Sequence, residues 1–318
     1  MSLTQENFIQ LTEHVFYIKM QTNIGVIKIP RGTHTDVYII DSGNDDVIAQ
    51  KILEILKNNI PDAKLQAIIN THSHADHCGG NPYIFQQTGC EIWTSKGEAS
   101  LMEYPEIETA LIWGGTAIHD IHSKFLLAKP SHATKIIEEG KDEILKIDEK
   151  NQLAIKPISL PGHYMNQIGL LIVDTDGKKS FFMGDAISGR NVIKRYWIQY
   201  LLDETKSKES LHKLAQIESD FYVPSHGDLV EDIEGLSELN IIALLETEKL
   251  ILDILRTPKT TEEILKEVAD RNGIKLGISQ FVLIGSTLRS YLTGLYEEEK
   301  IGWSIEDNIL RWHRTELK

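Results

Sequence analysis

Cysteine is almost absent: Cys78 and Cys90 are the only two among 318 residues. Two thiols cannot form a disulfide framework, so both are expected to be free and buried. Long apolar runs are missing as well. No stretch approaches the roughly 18 uninterrupted apolar residues of a membrane span, so none is expected. The segment Met1-Ser2-Leu3-Thr4-Gln5-Glu6 lacks the basic and apolar regions of a signal peptide, which points to a cytoplasmic protein. Positive charge is scarce: 33 Lys and Arg face 47 Asp and Glu, a net charge of −14. That balance argues against broad contact with phosphate backbones or anionic membranes. There is no internal repeat and no low-complexity tract. What remains is an ordinary globular composition, 41% hydrophobic and 25% charged, long enough for two domains.

The first half alternates strand-like and helix-like segments. Val15–Met20 and Asp36–Asp41 are rich in β-branched and aromatic residues and read as strands. Asp46–Asn58 carries Val47, Ile48, Ile52, Ile55 and Leu56 at the spacing of an amphipathic helix. Ala67–Asn70 reads as a buried strand, Asn81–Thr88 as a helix and Glu91–Thr94 as a strand. Residues 96–140 look helical and irregular. Strands return at Leu153–Leu160, Gly169–Val173, Ser180–Met183 and Phe221–Val223, with a helix over Lys208–Ile217. This alternation predicts an α/β architecture. From Glu238 the pattern becomes helix, helix, helix and a small hairpin, which resembles a winged-helix unit and divides the chain into 1–237 and 238–318.

The densest chemistry lies in Thr71-His72-Ser73-His74-Ala75-Asp76-His77, directly after a predicted strand. Four side chains able to bind metal within six residues are hard to place in a core. Imidazole nitrogen and carboxylate oxygen suit zinc, manganese or iron, and one loop can present them to two ions. His163 in Leu160-Pro161-Gly162-His163, Asp185 after Phe181-Phe182-Met183-Gly184, and His226 after Val223-Pro224-Ser225 each follow a strand-like run. Strand ends along one sheet edge can gather ligands from distant sequence. Isolated His14, His132, His212 and His313 are read as structural. His119 and His122 stand at a helical ligand spacing, although most such pairs are simply exposed.

These five separated motifs, Asp41 included, resemble those of the metallo-β-lactamase superfamily in content and order over roughly residues 10–235. The resemblance implies a four-layer αββα sandwich and a hydrolase with two divalent ions, zinc first, with iron or manganese as alternatives. It implies that His72, His74 and His163 bind the first ion, Asp76, His77 and His226 the second, and that Asp185 bridges them. Two such ions can share a water and lower its pKa toward neutrality, making hydroxide the nucleophile; Asp76 would help orient it. Asp41 is either an acid that supports the ligand loops or a turn residue before Ser42-Gly43.

Departures narrow the choice. The best-known zinc β-lactamases carry arginine at the position of His77 and cysteine at that of Asp185, so antibiotic hydrolysis is not indicated. Cys78, beside His77, reads as a small buried residue. Glyoxalase II-type thioesterases share H-x-H-x-D-H, but here the last histidine sits in Pro224-Ser225-His226-Gly227-Asp228. The appended C-terminal unit resembles the β-lactamase-like protein 2 type, whose members include a single-stranded RNA endonuclease. Residues 241–318 hold 13 acidic and 11 basic residues, and Ser279–Leu292 brings only Arg289. A groove-reading helix needs several cations. The unit is therefore expected over the active-site rim or at a homodimer contact, and a small ester, thioester or lactone is expected as substrate, with RNA or another phosphodiester the alternative. Residues 96–140 would cover one side of the site, and Asn191, Arg195 and Tyr196 are candidate substrate contacts.

Overall fold

The computed structural model describes residues 7–138, 145–148 and 153–315. Met1–Glu6, read for a signal segment, and Gly140, taken as the end of the insert, lie outside them. The first sheet contains β1 (Phe8–Gln10), β2 (Val15–Ile18), β3 (Ile24–Pro30), β4 (Thr35–Ile40), β5 (Ala63–Ile69), β6 (Glu91–Ser95) and β7 (Lys135–Ile137), in that spatial order. It is antiparallel as far as β4 and parallel from there to β7. The second sheet contains β8 (Leu145–Asp148), β9 (Leu153–Ser159), β10 (Ile168–Val173), β11 (Lys179–Phe182) and β12 (Phe221–Val223), ordered β12-β11-β10-β9-β8.

Alternation along the strands assigns the layers. Tyr38, Ile40, Ala67 and Ile69 pack with Ile155, Leu170 and Phe182 of the second sheet in the core between the sheets. Their neighbours Val37, Ile39 and Ile68 face outward against helices. Both faces are buried, so these strands read as continuous apolar runs. The sheets approach closely at Gly25, where a Cβ would stand 2.8 Å from Phe182 Cε1. The helices on the first sheet are α1 (Asp46–Asn59), the single turn α2 (Ala75–Cys78), α3 (Asn81–Thr88) and α4 (Lys96–Glu103). Asp45 caps α1 by accepting from Ile48 N at 2.9 Å. After α5 (Glu106–Trp113) and α6 (Arg190–Arg195) come α7 (Glu204–Ala215) and α8 (Ile233–Ile254), which cover the second sheet. The result is the αββα sandwich.

Four strands differ from expectation. β3 was not foreseen because it is buried on both faces and interrupted by Gly25 and Lys28. β1 and β7 have three residues each and β8 has four, too few for a period to emerge. The stretch from Lys96 is therefore not helical throughout: after α4, α5 and a short turn at His119–Ile121, it adds β7 to the edge of the first sheet.

Beyond α8 the chain forms α9 (Thr261–Arg271), α10 (Ile278–Glu297) and a hairpin of β13 (Ile301–Glu306) and β14 (Ile309–Arg314). A capping box between Thr260 and Glu263 starts α9. Asp307 and Asn308 turn the hairpin at φ 51° and 60°, the left-handed backbone of a tight two-residue turn. The division between 237 and 238 falls inside α8. Its Ile233 and Leu236 belong to the core on the second sheet, while Ile251 and Ile254 belong to the core of the C-terminal unit. No helix among the described residues is long and apolar enough to cross a membrane.

Candidate metal centre

Every ligand type singled out in the sequence lies just beyond a strand, and all converge at one edge of the sandwich. After β5 the chain turns through Asn70–His77. Asp41, at the end of β4, holds this turn: its Oδ1 accepts from Thr71 N at 2.8 Å and its Oδ2 from Thr71 Oγ1 at 2.9 Å. The carbonyl of His77 accepts from Ser42 N at 2.8 Å and from Asn70 Nδ2 at 2.9 Å. Asp41 adopts φ 64°, so it serves the turn and the ligand loop together. After β9, Gly162 takes φ 131°, and a Cβ there would stand 2.4 Å from Ser207 N. Only glycine lets the chain pass beneath α7 and present His163.

The side chains form two adjoining groups. In the first, His74 Nδ1 lies 3.0 Å from His72 Nε2 and 2.9 Å from His163 Nε2. In the second, Asp76 Oδ2 lies 3.5 Å from His77 Nε2 and 3.1 Å from His226 Nε2. Asp185 stands between them: Oδ1 is 3.4 Å from His77 Nε2, and Oδ2 is 3.5 Å from His163 Nε2 and 3.3 Å from His226 Nε2. His72, His74 and His163 have ligand atoms within 4.8 Å of one another, as do Asp76, His77 and His226. His77 Nε2 and Asp185 Oδ1 are buried without a hydrogen-bond partner. Donors about 3 Å apart suit a cation with bonds of about 2.0–2.2 Å, and orphaned buried donor atoms are costly without one. The residues fit divalent metal.

The second nitrogen of four of the five imidazoles is fixed by a hydrogen-bonding neighbour, and that of His74 faces a carboxylate. His77 Nδ1 donates to Asp41 Oδ2 at 2.7 Å, and His72 Nδ1 lies 3.1 Å from Thr71 Oγ1. His163 Nδ1 donates to the carbonyl of Tyr200 at 3.0 Å, and His226 Nδ1 to that of Gln21 at 2.9 Å. His74 Nε2 faces Glu108 Oε1 at 3.5 Å. Thr22 Oγ1 donates to Asp76 Oδ2 at 3.0 Å, and Asp185 N donates to Gln167 Oε1 at 3.1 Å. Such partners orient metal ligands and set their tautomers.

Electrostatics divide the histidines. Burial, reinforced by His77 and His74, holds His72 well below the usual imidazole range, and burial brings His163 down to about 4 despite Asp185. Both are neutral and present lone pairs. Burial also disfavours charge on His77 and His226, but the adjacent carboxylates outweigh it and raise both well above the usual value. Conversely, burial opposes ionisation of Asp76 and Asp185, yet these histidines keep both carboxylates low. Binding a cation among these groups would release protons.

A cavity of about 170 Å³ opens over the histidines and is walled by Glu108, Phe125, Leu126, Tyr200 and Leu283. A second, of about 220 Å³, continues past Asp76 and Phe125 along Met20, Thr22, Asn44 and Ile48. The segment after α4 thus covers one side of the site, and α10 contributes Leu283. Sequence reasoning missed Glu108, Tyr200 and Leu283, which arrive through tertiary packing, and Tyr164, whose only signal was adjacency to His163. Asn191, Arg195 and Tyr196 line neither cavity; all three are exposed on α6 or just after it. His119 and His122 are exposed with ring centres 6.1 Å apart and join neither ligand group. His14 pairs with Asp174 at 2.7 Å, far from the centre in the chain. Cys78 and Cys90 are buried free thiols.

Two packed sheets between helices, with this histidine–aspartate cluster at the sheet edge, define an αββα hydrolase. The model of the metallo-beta-lactamase superfamily matches residues 18–226, and the chain belongs to that superfamily, whose members are hydrolases. Among solved structures, a beta-lactamase domain protein from Burkholderia ambifaria is similar with a TM-score of 0.74 at 15% identity, covering 98% of this chain and 96% of that one. A metallo-beta-lactamase family protein from Thermus thermophilus gives a TM-score of 0.69 at 15% identity, covering 97% of each chain. Among curated proteins, an atrochrysone carboxyl ACP thioesterase of Aspergillus fumigatus is 20% identical over 242 residues, which is 76% of this chain. The chain spans 62% of that relative's length.

Proposed function

We propose that this chain is a metal-dependent hydrolase of a small, uncharged ester, thioester or lactone, using two divalent ions, with zinc the first choice and iron or manganese the alternatives. His72, His74 and His163 would hold one ion, Asp76, His77 and His226 the other, and Asp185 would bridge them. Such a pair activates water near neutral pH and polarises the scissile carbonyl. Asp76, steadied by Thr22, faces the open side of the cluster, where it can accept a hydrogen bond from the attacking water.

The observation that carries the substrate class is the lining of the two cavities. It contains Met20, Ile48, Phe125, Leu126 and Leu283, the carboxylate of Glu108 and, among the described residues, no lysine or arginine. A phosphodiester brings negative charge, and its recognition relies on cations that these walls lack. An acyl group with apolar substituents is matched instead. The similarity to an ACP thioesterase supports the acyl reading.

A substrate panel on metal-quantified protein tests this: short acyl esters, acyl thioesters, lactones, an aryl phosphodiester and a short single-stranded RNA. The expected result is turnover of at least one neutral acyl substrate with kcat/KM well above that for either phosphodiester. Hydrolysis of RNA alone would overturn the proposal and promote the nuclease reading.

A further inference from the structure

The two ligand groups are supported from different parts of the chain. The partners of the second group all belong to the αββα core: Asp41 holds His77, the Gln21 carbonyl holds His226 and Thr22 holds Asp76. In the first group only His72 is held from the core, through Thr71. His74 faces Glu108 on α5, a carboxylate that also accepts from the buried Tyr164 hydroxyl. His163 donates to the Tyr200 carbonyl.

The peptide group of that carbonyl and the one before it are bound to the C-terminal unit. Thr287 of α10, 1% exposed, accepts from Leu201 N at 3.2 Å and donates to the carbonyl of Gln199 at 3.5 Å. Three residues further on, Glu204 N donates to Ser290 Oγ of α10 at 2.7 Å. The same helix packs Val282 and Leu283 against Ile112 of α5, Leu126 and the Tyr200 ring. So α10 touches both routes: through Thr287 to His163, and through α5 to His74.

We propose that α5 and α10 form a bracket that positions the first metal site, with Glu108 and Thr287 as positioning residues, while the second site is set by the core alone. This rests on the two-ion reading given above. Its physical basis is that an imidazole whose far nitrogen is unsupported rotates and binds metal more weakly. A change in the bracket therefore acts selectively on one ion.

The test measures zinc binding by chelator competition and cobalt binding by visible absorption, on the full chain. The variants are Thr287→Val, Thr287→Ser, Glu108→Gln and, for the other site, Thr22→Val, which removes the hydroxyl that holds Asp76. Thr287→Val and Glu108→Gln are expected to weaken one ion by about 10- to 100-fold and to leave the other within about threefold. Thr287→Ser, which keeps the hydroxyl, restores wild-type binding. The cobalt band lost in these variants should be that of the three-histidine site, whereas Thr22→Val should weaken the other ion. Melting curves show whether each variant is folded; Thr287→Val preserves shape and volume, so packing alone would not reproduce the selective loss. Unchanged binding of both ions in Thr287→Val and Glu108→Gln, or parallel loss of both, would overturn the proposal. A wild-type protein that binds fewer than two ions would instead refute the two-ion reading itself.

Discussion

His77 and Asp41 form a fully buried pair, with Nδ1 2.7 Å from Oδ2 and side chains 0% and 1% exposed. Asp41 does this from a left-handed backbone at φ 64°, while also binding both the amide and the hydroxyl of Thr71. One residue thus fixes a turn, a loop and an imidazole. Removing its carboxylate should cost about 10- to 100-fold in activity or metal affinity. Asp41→Ala and Asp41→Gly should both show this loss in kcat/KM. Glycine accepts the left-handed backbone without a Cβ penalty, so Asp41→Gly should be the more stable of the two by roughly 1–2 kcal/mol in denaturant unfolding.

Asp185 stands between the two ligand groups, within 3.5 Å of three histidines. A carboxylate in that position offsets repulsion between two cations. Elemental analysis of protein purified without chelator should give about two divalent ions per chain, and Asp185→Ala should lose at least one. Absence of any transition metal from the wild type would defeat the proposal.

The thiols should take no part in the chemistry. Burial, with help from neighbouring carboxylates, raises Cys78 well above the ordinary thiol range, and its Sγ donates to the Ser73 carbonyl. A buried, protonated thiol is a poor nucleophile. Cys78→Ala and Cys90→Ala should keep hydrolysis within about tenfold, while His74→Ala should lower it by several orders of magnitude. Loss of turnover on thiol blocking, with metal retained, would contradict this.

A pH effect on stability is expected where α7 meets the C-terminal unit. Burial, and then the adjacent Glu248, raises Glu204 to about 7, while Glu248 is lowered despite burial because Glu204 and Lys208 favour its ionised form. The two carboxylates therefore share a proton, next to Lys208, which lies 2.9 Å from Glu204 and 2.7 Å from Glu248. Since Glu204 binds its proton more tightly when folded, its contribution is complete below the ordinary value of 4.5 and declines as pH rises through about 7. Melting temperature should fall between pH 5 and pH 8, and Glu204→Gln should flatten that fall. A slope that is unchanged in the variant would show that the pair does not control it.

Nucleic acid should not bind. The C-terminal unit carries a slight acidic excess, and Arg289 of α10 is engaged with the Gly285 carbonyl and Glu262. Binding through phosphates is strongest at low salt, so no appreciable RNA or DNA binding is expected at about 50 mM salt. Tight, salt-sensitive binding in a filter or anisotropy assay would contradict this.

The cluster at the sheet edge was legible because its chemistry is local. His72 to His77 fall within one loop, and His163, Asp185 and His226 each follow an apolar strand, so their convergence needed only the sandwich. Apart from Asp41, their supports were not legible. Glu108 is one of two acids on α5, and Leu283 lies about 200 positions from His74; only packing of α10 on α5 brings them to the cavity. Nearness in sequence did not bring every candidate to the cavities. Arg195 follows Asp185 closely, yet α6 carries it to the surface, where it lies over the Tyr196 ring at 5.0 Å. Strand β3 was obscured because a strand buried on both sides has no polar face to mark its period.

Helix α8 has its first turns in the core of one unit and its last turns in the core of the other. A chain cut there would leave two raw apolar surfaces, not two finished pieces. The C-terminal unit is accordingly no detachable module: calorimetry should record a single cooperative transition, and proteases should find no cleavage point between the halves.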